Sequence, residues 1–151
     1  TAPLPAQAMM AGAMTRDTRS VRVKWSGHGK VFQGVRGDAP PITVDGNSAE
    51  GPSPTETLLM SLAACMAIDV REILEKGRVP ISDLVVEVDG DRAGEPPRRF
   101  TALRISVWVS GPDEADRPKV ERAARLSHEK YCSVFHTFRR DLDVRLTTSL
   151  A

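Results

Sequence analysis

The segment from Gly51 to Lys76 constrains the fold most, because it predicts one long helix that carries a cysteine. Ser53 is a favourable N-cap, Pro54 suits the first helical position, and Glu56 completes a capping-box pattern. No charged residue occurs from 57 to 68, which predicts a helix that is buried on almost every side. The charges that follow predict that the helix then leaves the core and ends.

Cys65 lies in the uncharged part of this predicted helix. The three-and-four spacing of a helix gives it a face shared with Leu58, Ser61, Leu62, Ile68 and Asp69. Taken alone, a free cysteine in a core helix behaves as a small hydrophobic residue, and the helix by itself favours that interpretation. A chemical role for Cys65 therefore needs support from the rest of the chain.

Length and composition predict one folded domain at 20–151, preceded by a flexible extension at 1–19 that lacks the pattern of a signal peptide. The formal net charge is +1, which gives no electrostatic reason to expect nucleic acid or an acidic membrane as a partner. The two cysteines lie far apart and make neither a disulfide scaffold nor a paired zinc motif. We expect a soluble cytoplasmic protein with reduced thiols.

Alternating and helical patterns predict the remaining elements. Strands are expected at 21–25, 31–35, 42–44, 84–89, 100–110 and 142–146, and further helical segments at 118–130 and 134–140. The order of three strands, a helix, two strands, helices and a closing strand predicts an α+β fold with antiparallel sheets.

The motif SPTETLLMSLAAC, followed by an apolar strand pair and then HEKYCSV, resembles the OsmC/Ohr family of osmotically inducible and organic hydroperoxide resistance proteins. The resemblance spans 21–147 and is closer to the broad OsmC-like branch than to Ohr. It implies an intertwined homodimer, with antiparallel sheets wrapped around two central helices and active sites at the subunit interface. It also implies reduction of peroxides, organic ones preferred, by a pair of cysteines. We therefore expect a thiol-dependent peroxidase that acts on organic hydroperoxides without a metal or organic cofactor, with a dithiol such as a lipoyl protein as its reductant.

By this resemblance, Cys65 matches the peroxidatic cysteine of the family and Cys132 matches its resolving cysteine. Only a thiolate attacks a peroxide oxygen, so a reactive Cys65 needs a cation and hydrogen-bond donors nearby. The resulting sulfenic acid would condense with the second thiol to a disulfide. If Cys132 opens a third helix, the positive end of the helix dipole is expected to lower its pKa. The alternative for Cys132 is a buried core cysteine.

Two further residues are candidates for activating Cys65. Arg36, in the first hairpin, offers a cation with a forked set of hydrogen-bond donors. Its alternative role is that of a solvated surface charge. His28 is the other candidate in that hairpin for the activating cation. The catalytic glutamate of the family aligns with Thr55, and Glu56 follows it. The capping box gives Glu56 a structural role that is favoured over catalysis. Arg36 and Glu56 complete the predicted catalytic set.

Two alternatives and one question about Asp69 remain open. A metal site made by His128 and Cys132, one helical turn apart, together with Cys65 is a weak signal, because one ligand lies on a distant helix. Asp69 would oppose thiolate formation if it shared a cavity with Cys65. The second functional hypothesis is an OsmC-like protein without efficient peroxidase activity, which binds a small apolar or thiol-reactive ligand or acts as a redox sensor.

Overall fold

The computed structural model describes residues 17–151. Eight main elements follow in order: β1 (Arg22–Trp25), β2 (Val31–Val35), β3 (Ile42–Asp45), α1 (Pro54–Lys76), β4 (Asp83–Arg92), β5 (Phe100–Ser110), α2 (Arg117–Leu126) and β6 (Asp143–Leu150). A π-helical turn at Ser127–Tyr131 extends α2, and a short 3₁₀ turn follows at Phe135–Thr137. Residues 1–16 of the predicted N-terminal extension lie outside the described part of the chain.

The long helix α1 begins at Pro54, as predicted, and the predicted capping box caps its N-terminus. The Ser53 N–H donates to the Glu56 carboxylate at 2.6 Å, and the Glu56 N–H donates to the Ser53 hydroxyl at 3.3 Å. The Gly77 N–H donates to the Ile73 carbonyl at the other end. No helix within residues 17–151 is long and apolar enough to cross a membrane.

The strands form two three-stranded sheets, and the α+β class is confirmed. In the first sheet β1, β2 and β3 pair antiparallel, as do β4 and β5 in the second. The prediction of antiparallel pairing is wrong for β6, which runs parallel to β5 with Ala102 opposite Asp143 and Val109 opposite Leu150. The reason is that α2 carries the chain back along the sheet, and such a crossover makes two strands parallel.

The core lies between the second sheet and the two helices, where α1 contacts β4 and α2, and α2 contacts β6. The alternation predicted for β5 is confirmed, since its inward-facing residues are all buried. The core comprises Leu62, Met66, Val70 and Leu74 of α1, Leu103, Ile105, Val107 and Val109 of β5, Val120, Ala123 and Ala124 of α2, and Val79 and Cys132.

The prediction that α1 is buried on almost every side is wrong for the single chain. Leu58, Met60 and Ile68 are exposed by 42%, 58% and 58%, because one sheet and α2 cover only one face of the helix. The first sheet is also largely uncovered, with only Val31 and Asp45 buried among its strand residues. A single chain therefore presents an apolar helix face and an exposed small sheet.

Candidate active site

The structure brings the two predicted cysteines into one site. Cys65 lies in the middle of α1, and Cys132 directly follows the π-helical turn. Their sulfur atoms and one carboxylate oxygen of Asp69 all lie within 4.8 Å of one another. Both cysteines are free, and Cys65 is partly exposed whereas Cys132 is fully buried. One thiol of the pair is thus accessible from outside.

Two turns of backbone hold Cys132 in place. Its N–H donates to the Ser127 carbonyl at 2.9 Å, which closes the wide π-helical turn. Its carbonyl accepts from the His136 N–H at 3.0 Å, at the start of the 3₁₀ turn. Single π-helical turns frequently occur at functional sites, because the extra residue redirects the side chains that follow. Here the turn delivers Cys132 to the face of α1 that carries Cys65.

The environment of Cys132 favours the neutral thiol. Burial is the main cause that raises the pKa of Cys132 to about 12, and the neighbouring Cys65 and Asp69 raise it further. The Phe135 N–H donates to the Cys132 sulfur at 3.3 Å and acts in the opposite direction. The expectation that a helix N-terminus lowers this pKa is wrong, because a short 3₁₀ turn stands where a third helix was predicted and desolvation dominates.

Asp69 joins the cysteine pair and lies on the face of α1 that the helical spacing predicts it to share with Cys65. It lies one helical turn beyond Cys65 and is partly buried. The Ser127 hydroxyl, which is itself fully buried, donates to the Asp69 carboxylate at 2.8 Å. The spacing between Cys65 and Asp69 was the available signal for their shared face, whereas nothing local in the sequence indicated the contact with Ser127.

Within its own chain, neither Arg36 nor Glu56 is hydrogen-bonded to a cysteine among residues 17–151. Arg36 is exposed in the segment after β2. The Glu56 carboxylate accepts from the Ser53 N–H and the Ser48 hydroxyl, and these bonds lower its pKa. Glu56 also lies about 13 Å from Cys65 along the axis of α1, from a rise of about 1.5 Å per residue. Their catalytic roles remain predictions.

The histidines lie outside the group formed by the two sulfurs and the Asp69 carboxylate. His128 packs its ring on Phe135 with centroids 4.3 Å apart, and burial lowers its pKa. Its Nδ1 atom is buried without a hydrogen-bond partner in the described chain. His28 contacts the Glu50 carboxylate at 2.9 Å on the surface. The third donor beside the cysteines is therefore a carboxylate and not the imidazole considered from the sequence.

An apolar groove runs along the same part of α1. It has a volume of about 330 Å³ and is lined by Leu58, Ser61, Val134, Thr137 and Phe138. Ser61 and Leu58 precede Cys65 by about one and two helical turns, and the other lining residues closely follow Cys132 in the chain. A second cavity of about 220 Å³ shares Leu58 and Phe138 with the groove and includes Phe100 in its wall. Apolar surface is thus available on α1 within one to two helical turns of Cys65.

Residues 46–147 match the profile of the OsmC-like protein family, and this range includes both cysteines and Asp69. The chain belongs to the OsmC-like protein family. The family predicted from the two cysteine motifs is confirmed, and the match covers α1, β4, β5, α2 and β6 as far as Thr147.

Individual relatives agree with this membership. Protein YhfA of Escherichia coli strain K12 is 45% identical over 114 residues, which cover 75% of this chain and 84% of YhfA. The crystal structure of a hypothetical protein from Aquifex aeolicus VF5 superposes with a TM-score of 0.80 at 26% identity, and the match covers 90% of this chain and 98% of that one. Neither name states an activity for the relative.

The organic hydroperoxide resistance protein OhrB of Bacillus subtilis shares the fold, with a TM-score of 0.58 at 19% identity over 87% of this chain and 98% of OhrB. At this distance OhrB supports the fold of this OsmC-like protein and not its activity.

Proposed function

We propose that this OsmC-like protein is a thiol-dependent peroxidase that reduces organic hydroperoxides, with Cys65 as the peroxidatic cysteine and Cys132 as the resolving cysteine. The observation that carries the proposal is the convergence of two free thiols within 4.8 Å. The difference in solvent exposure supports the two assigned roles, because a substrate can approach the partly exposed Cys65, whereas Cys132 is fully buried. Cys132 is then suited to react only with a neighbouring sulfur.

The proposed reaction begins when the Cys65 thiolate attacks the terminal oxygen of the hydroperoxide. The O–O bond breaks, the alkoxide leaves and takes up a proton to give an alcohol, and Cys65 becomes a sulfenic acid. The sulfur of Cys132 then attacks the sulfur of Cys65. The S–O bond breaks, and water leaves with the proton from Cys132. A dithiol such as a lipoyl protein reduces the disulfide and restores both thiols.

Closing the disulfide requires only a local movement. The two sulfurs lie within 4.8 Å and must approach to about 2.05 Å, with Cα atoms about 4.4–6.8 Å apart. Cys132 lies between two short turns and follows a π-helical turn, so small changes in these turns can adjust its position without moving α1. Mass spectrometry after one equivalent of peroxide should find a Cys65–Cys132 disulfide within one chain.

The proposal includes a homodimer in which a second copy covers the uncovered apolar surface. The exposed apolar residues lie on the first sheet and on one face of α1; they include Val23, Trp25, Ile42, Leu58, Met60 and Ile68. Such a surface matches the intertwined dimer that the family resemblance implied. In this assembly the first sheet of one chain would lie over α1 of the other.

The homodimer also provides a place for the predicted activating residues. Arg36 follows β2 in the first sheet, so a second copy would deliver it to the α1 face that carries Cys65. A guanidinium beside Cys65 would stabilise the thiolate and orient the peroxide oxygen. Glu56 of the same copy that supplies Arg36 is proposed to hold that arginine, and hydrogen bonds from the Ser53 N–H and the Ser48 hydroxyl lower the pKa of its carboxyl.

A peroxide-consumption assay with dihydrolipoamide as reductant tests the proposal, with cumene hydroperoxide compared against hydrogen peroxide. An organic substrate gains about 0.8 kcal/mol for each methylene that it buries in the groove beside Cys65. Four buried methylenes correspond to about 3 kcal/mol, or on the order of a hundredfold in kcat/KM. Cys65→Ser should abolish turnover, and Cys132→Ser should permit one oxidation and then stall. Equal rates for both peroxides, or activity that survives in Cys65→Ser, would contradict the mechanism.

A second candidate function is a redox sensor that uses the same disulfide. Two observations favour it: the Asp69 carboxylate lies beside both thiols, and no arginine or lysine is hydrogen-bonded to a cysteine sulfur among the described residues. Because the carboxylate disfavours the thiolate and no cation stabilises it, peroxide would oxidise such a pair slowly, and the disulfide would persist once formed. The same assay separates the two functions, because a sensor forms the disulfide with peroxide but does not sustain turnover with the dithiol.

A further inference from the structure

We propose that Cys65, Asp69 and Cys132 form a zinc-binding site when both thiols are reduced. The site goes beyond the proposed peroxidase function and does not depend on it. Two sulfurs and one carboxylate oxygen lie within 4.8 Å of one another, and they are partly or fully buried. Convergence of three such donors on one point is the geometric requirement that a metal site must meet first.

The donor types match zinc more closely than the other common metal ions. Zinc accepts cysteine sulfur at about 2.3 Å and carboxylate oxygen at about 2.0–2.2 Å, usually in a tetrahedron. A tetrahedron with these bond lengths places two sulfurs about 3.8 Å apart and a sulfur and an oxygen about 3.6 Å apart. Donors already within 4.8 Å therefore need movements of about 1 Å at most. Calcium and magnesium prefer oxygen donors and fit this set poorly.

The fold supplies the donors from two sides. Cys65 and Asp69 lie one helical turn apart on α1, which is the spacing that allows two residues of a helix to bind one metal ion. Cys132 approaches from the segment that follows α2. Three protein ligands leave one tetrahedral position for water, which can enter beside the partly exposed Cys65.

Hydrogen bonds from neighbouring residues already orient two of the three proposed metal ligands. The Ser127 hydroxyl donates to the Asp69 carboxylate at 2.8 Å, and the Phe135 N–H donates to the Cys132 sulfur at 3.3 Å. Outer contacts of this kind fix the ligands of known metal sites, and their loss typically costs 10–100-fold in affinity. Ser127 is fully buried, so its bond to Asp69 is protected from water.

The charges at the site also favour a cation. When both thiols are ionised, three negative groups converge, and no lysine or arginine within residues 17–151 forms a salt bridge to Asp69. A divalent ion would neutralise two of these charges, while the thiol protons leave to solvent.

Zinc and the disulfide would exclude each other. The ion needs both sulfurs as thiolates, whereas oxidation joins them and removes two of the three ligands. A bound zinc ion would also hold Cys132 away from an oxidised Cys65. Zinc at saturating concentration should therefore slow disulfide formation by peroxide.

Titration of the reduced full chain with Zn²⁺ and with Co²⁺ tests the site, in the absence of peroxide and after removal of metal with a chelator. We expect one ion per chain, a sulfur-to-cobalt charge-transfer band, and affinity that rises with pH because the thiols must lose protons. Cys65→Ser and Cys132→Ser should each remove most of the band, and Asp69→Asn should weaken binding. Ser127→Ala should weaken it by about tenfold or more.

Two control variants define the donor set. Glu72→Gln changes an exposed carboxylate on α1, and His128→Gln changes the imidazole near Cys132; both should bind zinc like the unmodified chain. A cobalt complex without a charge-transfer band would overturn the proposal, and this measurement needs no variant to fold. Zinc binding that is lost in His128→Gln but kept in Asp69→Asn would overturn the assigned ligands. Peroxide turnover is measured separately, so failure of either hypothesis leaves the other standing.

Discussion

The hydroxyl of Ser127 donates a hydrogen bond of 2.8 Å to the carboxylate of Asp69, and this bond ties the π-helical turn to α1. It joins the segment that carries Cys132 to the helix that carries Cys65. Ser127→Ala should lower the free energy of unfolding by about 1–3 kcal/mol, because a buried donor to a charged group is lost. Urea unfolding under reducing conditions measures the change.

Ser133→Ala is the matched control for that substitution, because Ser133 is exposed and lies just after Cys132. Its effect should stay within about 0.5 kcal/mol. Ser127→Ala should also slow formation of the Cys65–Cys132 disulfide, because the two segments are less firmly held together. Equal stability losses in the two variants would show that the Ser127–Asp69 bond does not anchor the turn.

The raised pKa of Cys132 predicts a loss of stability in alkaline solution. The pKa is about 12 in the folded chain against a reference value of 9.0, so the folded state holds the proton more tightly than the unfolded state. The stability that the protonated Cys132 contributes to the folded chain is fully present below pH 9.0 and is lost as the pH rises towards about 12. Unfolding free energies measured across this range should fall more steeply for the unmodified chain than for Cys132→Ala. Parallel curves would contradict the assignment.

The two cysteines should also differ in chemical reactivity. Cys65 is partly exposed, whereas Cys132 is fully buried and protonated at neutral pH. Iodoacetamide should therefore label Cys65 first in the folded chain, and both cysteines should react after denaturation in urea. Peptide mapping by mass spectrometry distinguishes the sites. Faster labelling of Cys132 would reverse the proposed peroxidatic and resolving roles.

Much of the fold was predictable because its signals are local. The capping box from Ser53 to Glu56 fixes the start of α1 at the predicted residue, and the alternation of 100–110 predicts the strand β5 with its buried face. The parallel pairing of β6 was missed, because a strand pattern gives the burial of its residues but not the direction in which the strand joins a sheet.

The site was predictable in its cysteines and not in their surroundings. The motifs around Cys65 and Cys132 identified the pair through family resemblance. The contact with Asp69 depends on the π-helical turn, which places Ser127 and Cys132 against α1, and no periodicity in the sequence indicates such a turn. The sequence pattern predicts that the exposed face around Ile68 is part of the core, because the pattern of apolar residues is the same whether their own chain or a second copy covers them.

Gly111 should tolerate no side chain. Its φ of +111° is strained for other residues, and a Cβ atom there would lie 2.8 Å from the Ser82 backbone nitrogen. Gly111→Ala should lower the free energy of unfolding by about 1–3 kcal/mol. Gly94→Ala is the matched control, since a Cβ atom at Gly94 meets nothing within 4 Å. Thermal or urea unfolding that ranks the two variants equally would contradict this account.

The exposed face of α1 leads to a prediction about assembly. Ile68 is 58% exposed in the single chain, and the proposed homodimer buries it against a second copy. Ile68→Glu should dissociate the dimer, because a charge buried at an interface without a partner is strongly unfavourable. Ala115→Glu introduces the same charge at an exposed site on the turn before α2 and should leave the assembly intact. Light scattering at micromolar concentration measures both variants, and a stable, folded monomer of the unmodified chain would refute the homodimer itself.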